Sequence, residues 1–240
     1  MGSLDTIKGI IFDYGGTIDS NGLHWAEVIW QAYETFLIPI DKDVFREAYV
    51  HGERTLARNP LIRPNHTFKD MMRIKTEIQI QWLQENGKLS DNCFREDTAE
   101  AIADWCYQFA KQTTANAKPI IALLAQRYPM VLVSNFYGNI EAVLKDFGLD
   151  SYFGSIVESA VVGVRKPNPD IFDLGVKQLK MDSQQIVVIG DSYDKDIVPA
   201  TSIGCHTIWI KNIGWEAYKG HETADAVISD FKELEKLLLS

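Results

Sequence analysis

The chain has 240 residues, is 46% hydrophobic and carries a formal net charge of −9. That composition is expected of a soluble globular protein and excludes extensive disorder. The acidic balance, with no long basic run, speaks against nucleic acid or an anionic membrane as partner, and no apolar run approaches the ~20 residues that span a bilayer. Cys93, Cys106 and Cys205 form an odd set without metal-like spacing, so a reducing compartment and a cytoplasmic location are expected.

In chain order, Ile7–Phe12 is a short apolar run halted by Asp13 and the Gly15-Gly16 turn, and reads as a buried parallel strand. From about Leu23 to about Gln112 strand signals vanish. Apolar residues recur there at helical spacing: Trp25, Ile29, Ala32, Tyr33 and Phe36, then Phe68, Met71, Met72 and Ile78, then Ala101, Ile102, Trp105, Cys106 and Phe109. Pro39, Pro60, Pro64 and Gly87 punctuate this block, which predicts a bundle of about four helices.

From Pro119 the rhythm alternates. A helix Ile120–Arg127 precedes a strand Met130–Val133, a helix Ile140–Phe147 precedes a strand Ser155–Glu158, and a helix Pro169–Leu179 precedes a strand Ile186–Ile189. A helix-like run Ile197–Ile203, the strands His206–Ile210 and Ala226–Ile228, and a last helix Phe231–Leu239 follow. Such alternation predicts an α/β fold with a parallel sheet covered on both faces. The bundle is then an insertion after the first strand: residues 1–19 and 115–240 form the α/β core domain, and 20–114 a helical domain.

Sheets of this kind bind ligands at the carboxyl ends of their strands. Asp13, Ser134 and Asp191 each fall just past a predicted strand and therefore share one rim. A carboxylate such as Asp13 can attack phosphorus and form an aspartyl phosphate, splitting one difficult displacement into two. Asp191 and Asp196, with Asp194 between them, offer the oxygen ligands that Mg²⁺ prefers, and the backbone carbonyl of Gly15 can add another. Such an ion would offset the repulsion between an anionic nucleophile and a phosphate. Ser134 and Asn135 supply a hydroxyl and backbone N–H groups at a strand-to-helix turn, an anion pocket. Lys166 precedes the stiff Pro167-Asn168-Pro169 loop and can pair with Asp13 and with phosphate oxygens. Thr17 is placed with the phosphate-binding set and as a brace for the nucleophile loop, where Gly16 allows a close backbone approach.

Taken in order, Ile10-Ile11-Phe12-Asp13-Tyr14-Gly15-Gly16-Thr17, Val133-Ser134-Asn135, Arg165-Lys166-Pro167-Asn168-Pro169 and Gly190-Asp191-Ser192-Tyr193-Asp194-Lys195-Asp196 resemble the four motifs of the haloacid dehalogenase-like (HAD) hydrolases. The resemblance covers nearly the whole chain. It implies a Rossmann-like core whose inserted helical domain is a cap that opens and closes over the site. It also implies Asp13 as nucleophile, Ser134 and Lys166 at the phosphate, and Mg²⁺ held through Asp191 with support from Asp196. The activity implied is hydrolysis of a small phosphorylated metabolite. The 2-haloacid dehalogenases of the same family need no metal and lack this paired acid cluster, so they are the weaker match.

One residue departs from the family's phosphatases. They usually place a second Asp two residues after the nucleophile, where it protonates the leaving group and then activates water, a contribution of ~10²–10⁴-fold. Here that position is Gly15, which has no side chain. The acid then comes from elsewhere, such as Asp19, Asp194, His24 or the cap, or the substrate has a leaving group that needs no proton. Alternatively the chain resembles phosphonate hydrolases, which also lack this Asp and use a cap lysine to form an imine; Lys42, Lys69, Lys75 and Lys88 are the cap lysines. A further alternative is a phosphate-ligand binder without turnover. Substrate choice is expected from a charged cap loop carrying His51, Glu53, Arg54, Arg58, Asn59, Arg63 and His66, with one arginine reaching the substrate. Trp25, Trp30, Trp82 and Trp105 read as helix-packing residues.

Overall fold

The computed structural model describes residues 4–90, 97–216, 218 and 220–239, so Cys93 lies outside the described residues. Its strands are β1 (Gly9–Phe12), β2 (Met130–Ser134), β3 (Ser155–Glu158), β4 (Ile186–Gly190), β5 (His206–Ile210) and β6 (Ala226–Ile228). They form one sheet in the order β3-β2-β1-β4-β5-β6, and every neighbouring pair is parallel. The strand order reverses beside β1. There the connections from β1 and β4 leave in opposite directions and open the crevice in which such sheets hold ligands.

The period of two along each strand divides the core between the two faces of the sheet. Ile10, Phe12, Val187 and Ile189 face one side, and Ile11, Val133, Ile186 and Val188 the other. The second side is covered by α7 (Asp170–Leu179), through Ile171, Phe172 and Leu179, and by Ala200 of α8 (Val198–Ser202). On the first side Phe12 packs edge-on against Phe153 and stacks on Phe231. Full burial of a ring of that size contributes roughly 1.5–3 kcal/mol. α5 (Ile140–Asp146), the short α6 (Ser159–Val162) and α9 (Glu233–Leu239) complete the core.

Between β1 and β2 the chain builds α1 (Trp25–Thr35), α2 (Lys42–Arg58), α3 (Phe68–Glu85) and α4 (Thr98–Arg127). The first three begin at capping residues: His24, Asp41 and Thr67 each accept a backbone N–H of their own first turn, and Thr67 with Asp70 completes a reciprocal capping box. The stretch expected to be a charged loop is partly helical, because His51 to Arg58 is the last part of α2. Phe45, Ala48, Tyr49, Gly52 and Leu56 bury one stripe of that helix and leave its charged residues on the other face. Three of the four tryptophans pack between helices as expected, Trp25 against Phe68 and Phe109, Trp30 against Phe45 and Trp82 against His51, while Trp105 stacks on Phe109 one turn along its own helix α4.

The separate helix expected over 120–127 is the C-terminal end of α4, which runs 30 residues without a break through Pro119. A proline in a helix interior costs about 3 kcal/mol through its missing N–H and ring clash. A continuous buried stripe of Ala110, Thr114, Ala117, Ile121 and Leu124 carries α4 past that point. The 114/115 boundary therefore falls inside one helix, which packs on α1 and α3 at one end and on α9 at the other.

Candidate active site

Asp13 leaves β1 at the reversal point of the sheet and is 5% exposed. One carboxylate oxygen receives the Lys166 ammonium at 2.6 Å and the other receives the Thr17 hydroxyl at 2.8 Å. Lys166 spans to Asp196 as well, also at 2.6 Å. The Thr17 oxygen lies 3.1 Å from Asp191 Oδ1, so this fully buried hydroxyl sits between two carboxylates and braces the loop after β1. Thr17 is not among the residues lining the cleft above.

Two glycines make this crowding possible. Gly16 holds φ +101°, and a Cβ there would meet the Asp191 carboxylate at 2.5 Å. A Cβ on Gly190 would strike Asp196 at the same distance. By contrast, a Cβ on Gly15 meets nothing within 4 Å, and Gly15 lines the cleft.

Lys166 is positioned through its backbone. The Asn135 side chain accepts its N–H at 2.9 Å and donates to its carbonyl at 3.1 Å. The Asn135 amide is thereby committed to Lys166, which leaves its backbone N–H as the group it can offer to a ligand. Ser134, at the end of β2, is buried and lines the cleft beside it. Asp191 follows β4, and Trp209 donates its indole N–H to the Asp191 carbonyl at 2.7 Å. Asp196 lies in a π-helical turn, Tyr193–Ile197, that Ser192 caps with its hydroxyl. Its second oxygen accepts the Ser192 N–H at 3.0 Å. The widened turn directs Asp196 inward, where it is 2% exposed, and leaves Asp194 exposed and outside the cleft lining.

Asp13, Asp191 and Asp196 thus bring ligand oxygens within 4.8 Å of one another, the group of metal-binding character found among the described residues. One ammonium faces three carboxylates, so negative charge is in excess. Burial, aided by Asp196, raises the Asp13 carboxyl to about 6 despite the opposing pull of Lys166. Burial, then Asp13 and Asp196, holds Asp191 well above its ordinary range. Burial disfavours the Lys166 charge, but the two acids outweigh it and keep the ammonium protonated. A buried oxygen-only cluster with surplus negative charge fits a hard divalent cation.

The cap roofs a cleft of about 600 Å³. Of the four cap lysines, Lys75 lines it; of the cap arginines, Arg54 and Arg58 do and Arg63 does not. Lys75 is 5% exposed, pairs with Glu53 at 2.7 Å and lies 5.1 Å above the Tyr137 ring, while Tyr137 donates to Glu53 at 2.8 Å. Burial penalises both charges, yet their mutual attraction prevails, lowering Glu53 and raising Lys75 well above its ordinary value. Tyr137 comes from the loop after β2, so this triangle joins cap to core. No periodicity marks Tyr137 in the sequence; its place three residues after Ser134 is the one available signal. Asn139 donating to the His66 carbonyl and Tyr49 stacking on Trp215 add further links.

This is the layout of a capped Rossmann-like enzyme with a carboxylate floor. The chain matches the haloacid dehalogenase-like hydrolase family model over residues 7–204 and belongs to that family of hydrolases. It is 30% identical over 87 residues to the glyceraldehyde 3-phosphate phosphatase of Methanocaldococcus jannaschii, a stretch covering 36% of this chain and 38% of that protein. It is 33% identical over 109 residues to the pyrimidine 5'-nucleotidase YjjG of Escherichia coli, covering 45% and 48% respectively. The matched stretches span less than half the length of these relatives. The HAD-hydrolase YfnB of Bacillus subtilis, solved bound to magnesium, shares the fold with a TM-score of 0.59 and 18% identity over 98% of this chain and 99% of that one. Among the described residues no helix is long and apolar enough to cross a membrane.

Proposed function

We propose that the chain is a Mg²⁺-dependent phosphatase of small phosphorylated metabolites that works through an aspartyl phosphate on Asp13. The observation that carries this is the Asp13 carboxylate at the cleft floor, aligned by Lys166 and Thr17 beside Asp191 and Asp196. Asp13, Asp191, Asp196 and the Gly15 carbonyl would hold Mg²⁺, which when bound lowers the repulsion between nucleophile and phosphate. Lys166 keeps Asp13 oriented and offers positive charge to the transferring phosphoryl group. Ser134 and the Asn135 backbone N–H bind the phosphate oxygens. Residues 20–114 act as the cap over the core of 1–19 and 115–240. The named activities of the phosphatase and nucleotidase relatives support a phosphomonoester as substrate. The buried thiols Cys106 and Cys205 are free, which fits the cytoplasmic location we propose.

The phosphonate alternative requires a cap lysine with a free amine, since only the unprotonated form adds to a carbonyl. Lys75 is the cap lysine at the cleft, and Glu53 keeps it an ammonium. The phosphatase reading is therefore preferred.

The test is phosphate release with Mg²⁺ from p-nitrophenyl phosphate, acetyl phosphate and a panel of sugar and alkyl phosphates. Turnover that chelator and Asp13→Asn both abolish is the expected result. Saturable thermal stabilisation by phosphate ligands, with no release from any substrate, would make the protein a binder instead.

A further inference from the structure

Among the acids that line the cleft, Asp19 has no task in the scheme above. It is fully buried, and its Oδ1 accepts the Gly16 N–H at 2.8 Å. Its Oδ2 and the neighbouring Trp25 indole N–H are both buried without a well-formed hydrogen bond, and the indole gives the carboxylate only weak support against burial. An unpaired buried carboxylate oxygen is costly as an anion. It becomes tolerable when it carries a proton that has somewhere to go. Asp19 therefore reaches back to the residue beside Gly15, into the turn where a side chain is missing and where the cleft is open.

The other acids at the cleft, its histidine and its two tyrosines are unsuited to donate a proton, the phenols of Tyr49 and Tyr137 because burial raises both. Asp13, Asp191 and Asp196 belong to the nucleophile and cation cluster. Glu53 is held ionised by Lys75. His24 accepts the Ala26 N–H through Nδ1, and burial lowers its imidazole to about 4, leaving it neutral at pH 7. Asp194 is exposed and outside the lining. We propose that Asp19 is the general acid and base of this site, replacing from position 19 the side chain absent at position 15. Burial raises its carboxyl to about 7, against the pull of the Gly16 hydrogen bond, where such a group serves in both roles.

The proposal rests on the phosphatase reading and completes its proton balance. As an Asp13 oxygen bonds to phosphorus, the P–O bond to the leaving group breaks and its electron pair stays on the departing oxygen. Asp19 gives that oxygen its proton, and the alcohol leaves. The Asp19 carboxylate then takes a proton from the water that attacks the aspartyl phosphate, releasing inorganic phosphate and restoring Asp13 and protonated Asp19.

Asp19→Asn is nearly isosteric and keeps an oxygen for the Gly16 N–H. With Mg²⁺ and the full chain, we expect it to slow alkyl phosphate hydrolysis by about 10²–10⁴-fold. With p-nitrophenyl phosphate it should still give a burst of one p-nitrophenolate per enzyme, because that leaving group needs no proton and only the water step is crippled. The double variant Gly15→Asp, Asp19→Asn should recover alkyl phosphate turnover. Unchanged alkyl phosphate turnover in Asp19→Asn overturns the proposal, as does equal loss of turnover and burst. Asp13→Asn separates the two claims: it must abolish the burst, and a burst that survives it sinks the nucleophile assignment itself. A wild-type protein inert on every substrate overturns both.

Discussion

On the core side of the cleft, Asp13, Ser134 and Asp191 stand at strand ends, and Lys166 is tethered to them through the Asn135 side chain. On the cap side, Glu53, Arg54 and Arg58 project from α2 and Lys75 from α3. On the floor Asp13 and Asp196 share the buried Lys166 ammonium, while the half-buried Asp191 meets the Thr17 hydroxyl. The roof pairs a buried Lys75 with a half-buried Glu53, and beyond that pair stand exposed arginines. Parallel strands fix relative positions through ladder hydrogen bonds, whereas a helix face offers side chains that can be exchanged with little effect on the backbone. The proposed function assigns chemistry to the first arrangement and substrate choice to the second, and substitutions in the two layers should then fail in different ways.

The largest expected effect is on the floor. Asp13→Asn should lower kcat by at least about 10⁴-fold on every substrate, as loss of a covalent nucleophile does, while the protein still melts cooperatively. A variant that lost one substrate and kept another would break the division between floor and roof.

Next comes a pH effect on stability. Folding raises the Asp19 carboxyl from 3.8 to about 7. Between those values the folded state binds a proton that the unfolded chain releases, so stability falls as pH rises from about 4 to about 7. The full span corresponds to roughly 4 kcal/mol. In chelator, Asp19→Asn should show a flatter dependence of Tm on pH over this window. Parallel wild-type and variant curves would show that Asp19 does not titrate there.

The two adjacent glycines sharpen the comparison within the floor. Gly16→Ala forces a side chain into the Asp191 carboxylate at a left-handed backbone angle and should cost about 1–3 kcal/mol in denaturant unfolding. Gly15→Ala points into open cleft and should stay within about 0.5 kcal/mol of wild type. Equal losses would mean that the open space at position 15 is needed for folding rather than for a ligand.

Legibility followed the same division. The strands could be read because Ile7–Phe12, Met130–Val133 and Ile186–Ile189 are apolar on both faces, and their ends located the rim and its acids. The inward turn of Asp196 could not be read as burial, since it depends on a π-helical widening that no local pattern announces. Nor could the passage of α4 through Pro119, where packing against both layers overrides a local breaker. The roof was harder still. Arg54, Arg58 and Arg63 look alike as residues in a charged stretch, and what separates them is that α2 ends at Arg58. The pairing of Lys75 with Glu53 and Tyr137 spans three separate segments, and only the folded chain brings them together.

The smallest predicted effect is at the roof. Arg54 and Arg58 line the cleft and are exposed, whereas Arg63 lies outside its lining. An exposed arginine that gains a bidentate partner in the bound state contributes uniform binding, felt equally by substrate and transition state. Arg54→Ala and Arg58→Ala should therefore raise KM for an anionic phosphorylated substrate by up to about tenfold at constant kcat, and Arg63→Ala should change neither constant. The comparison is most demanding with acetyl phosphate, whose small acyl group offers a roof arginine no anionic contact beyond the phosphate. Its KM should be indifferent to all three substitutions. If Arg54→Ala or Arg58→Ala instead lowered kcat on acetyl phosphate, the roof would take part in the chemistry, and the separation of the two layers would fail.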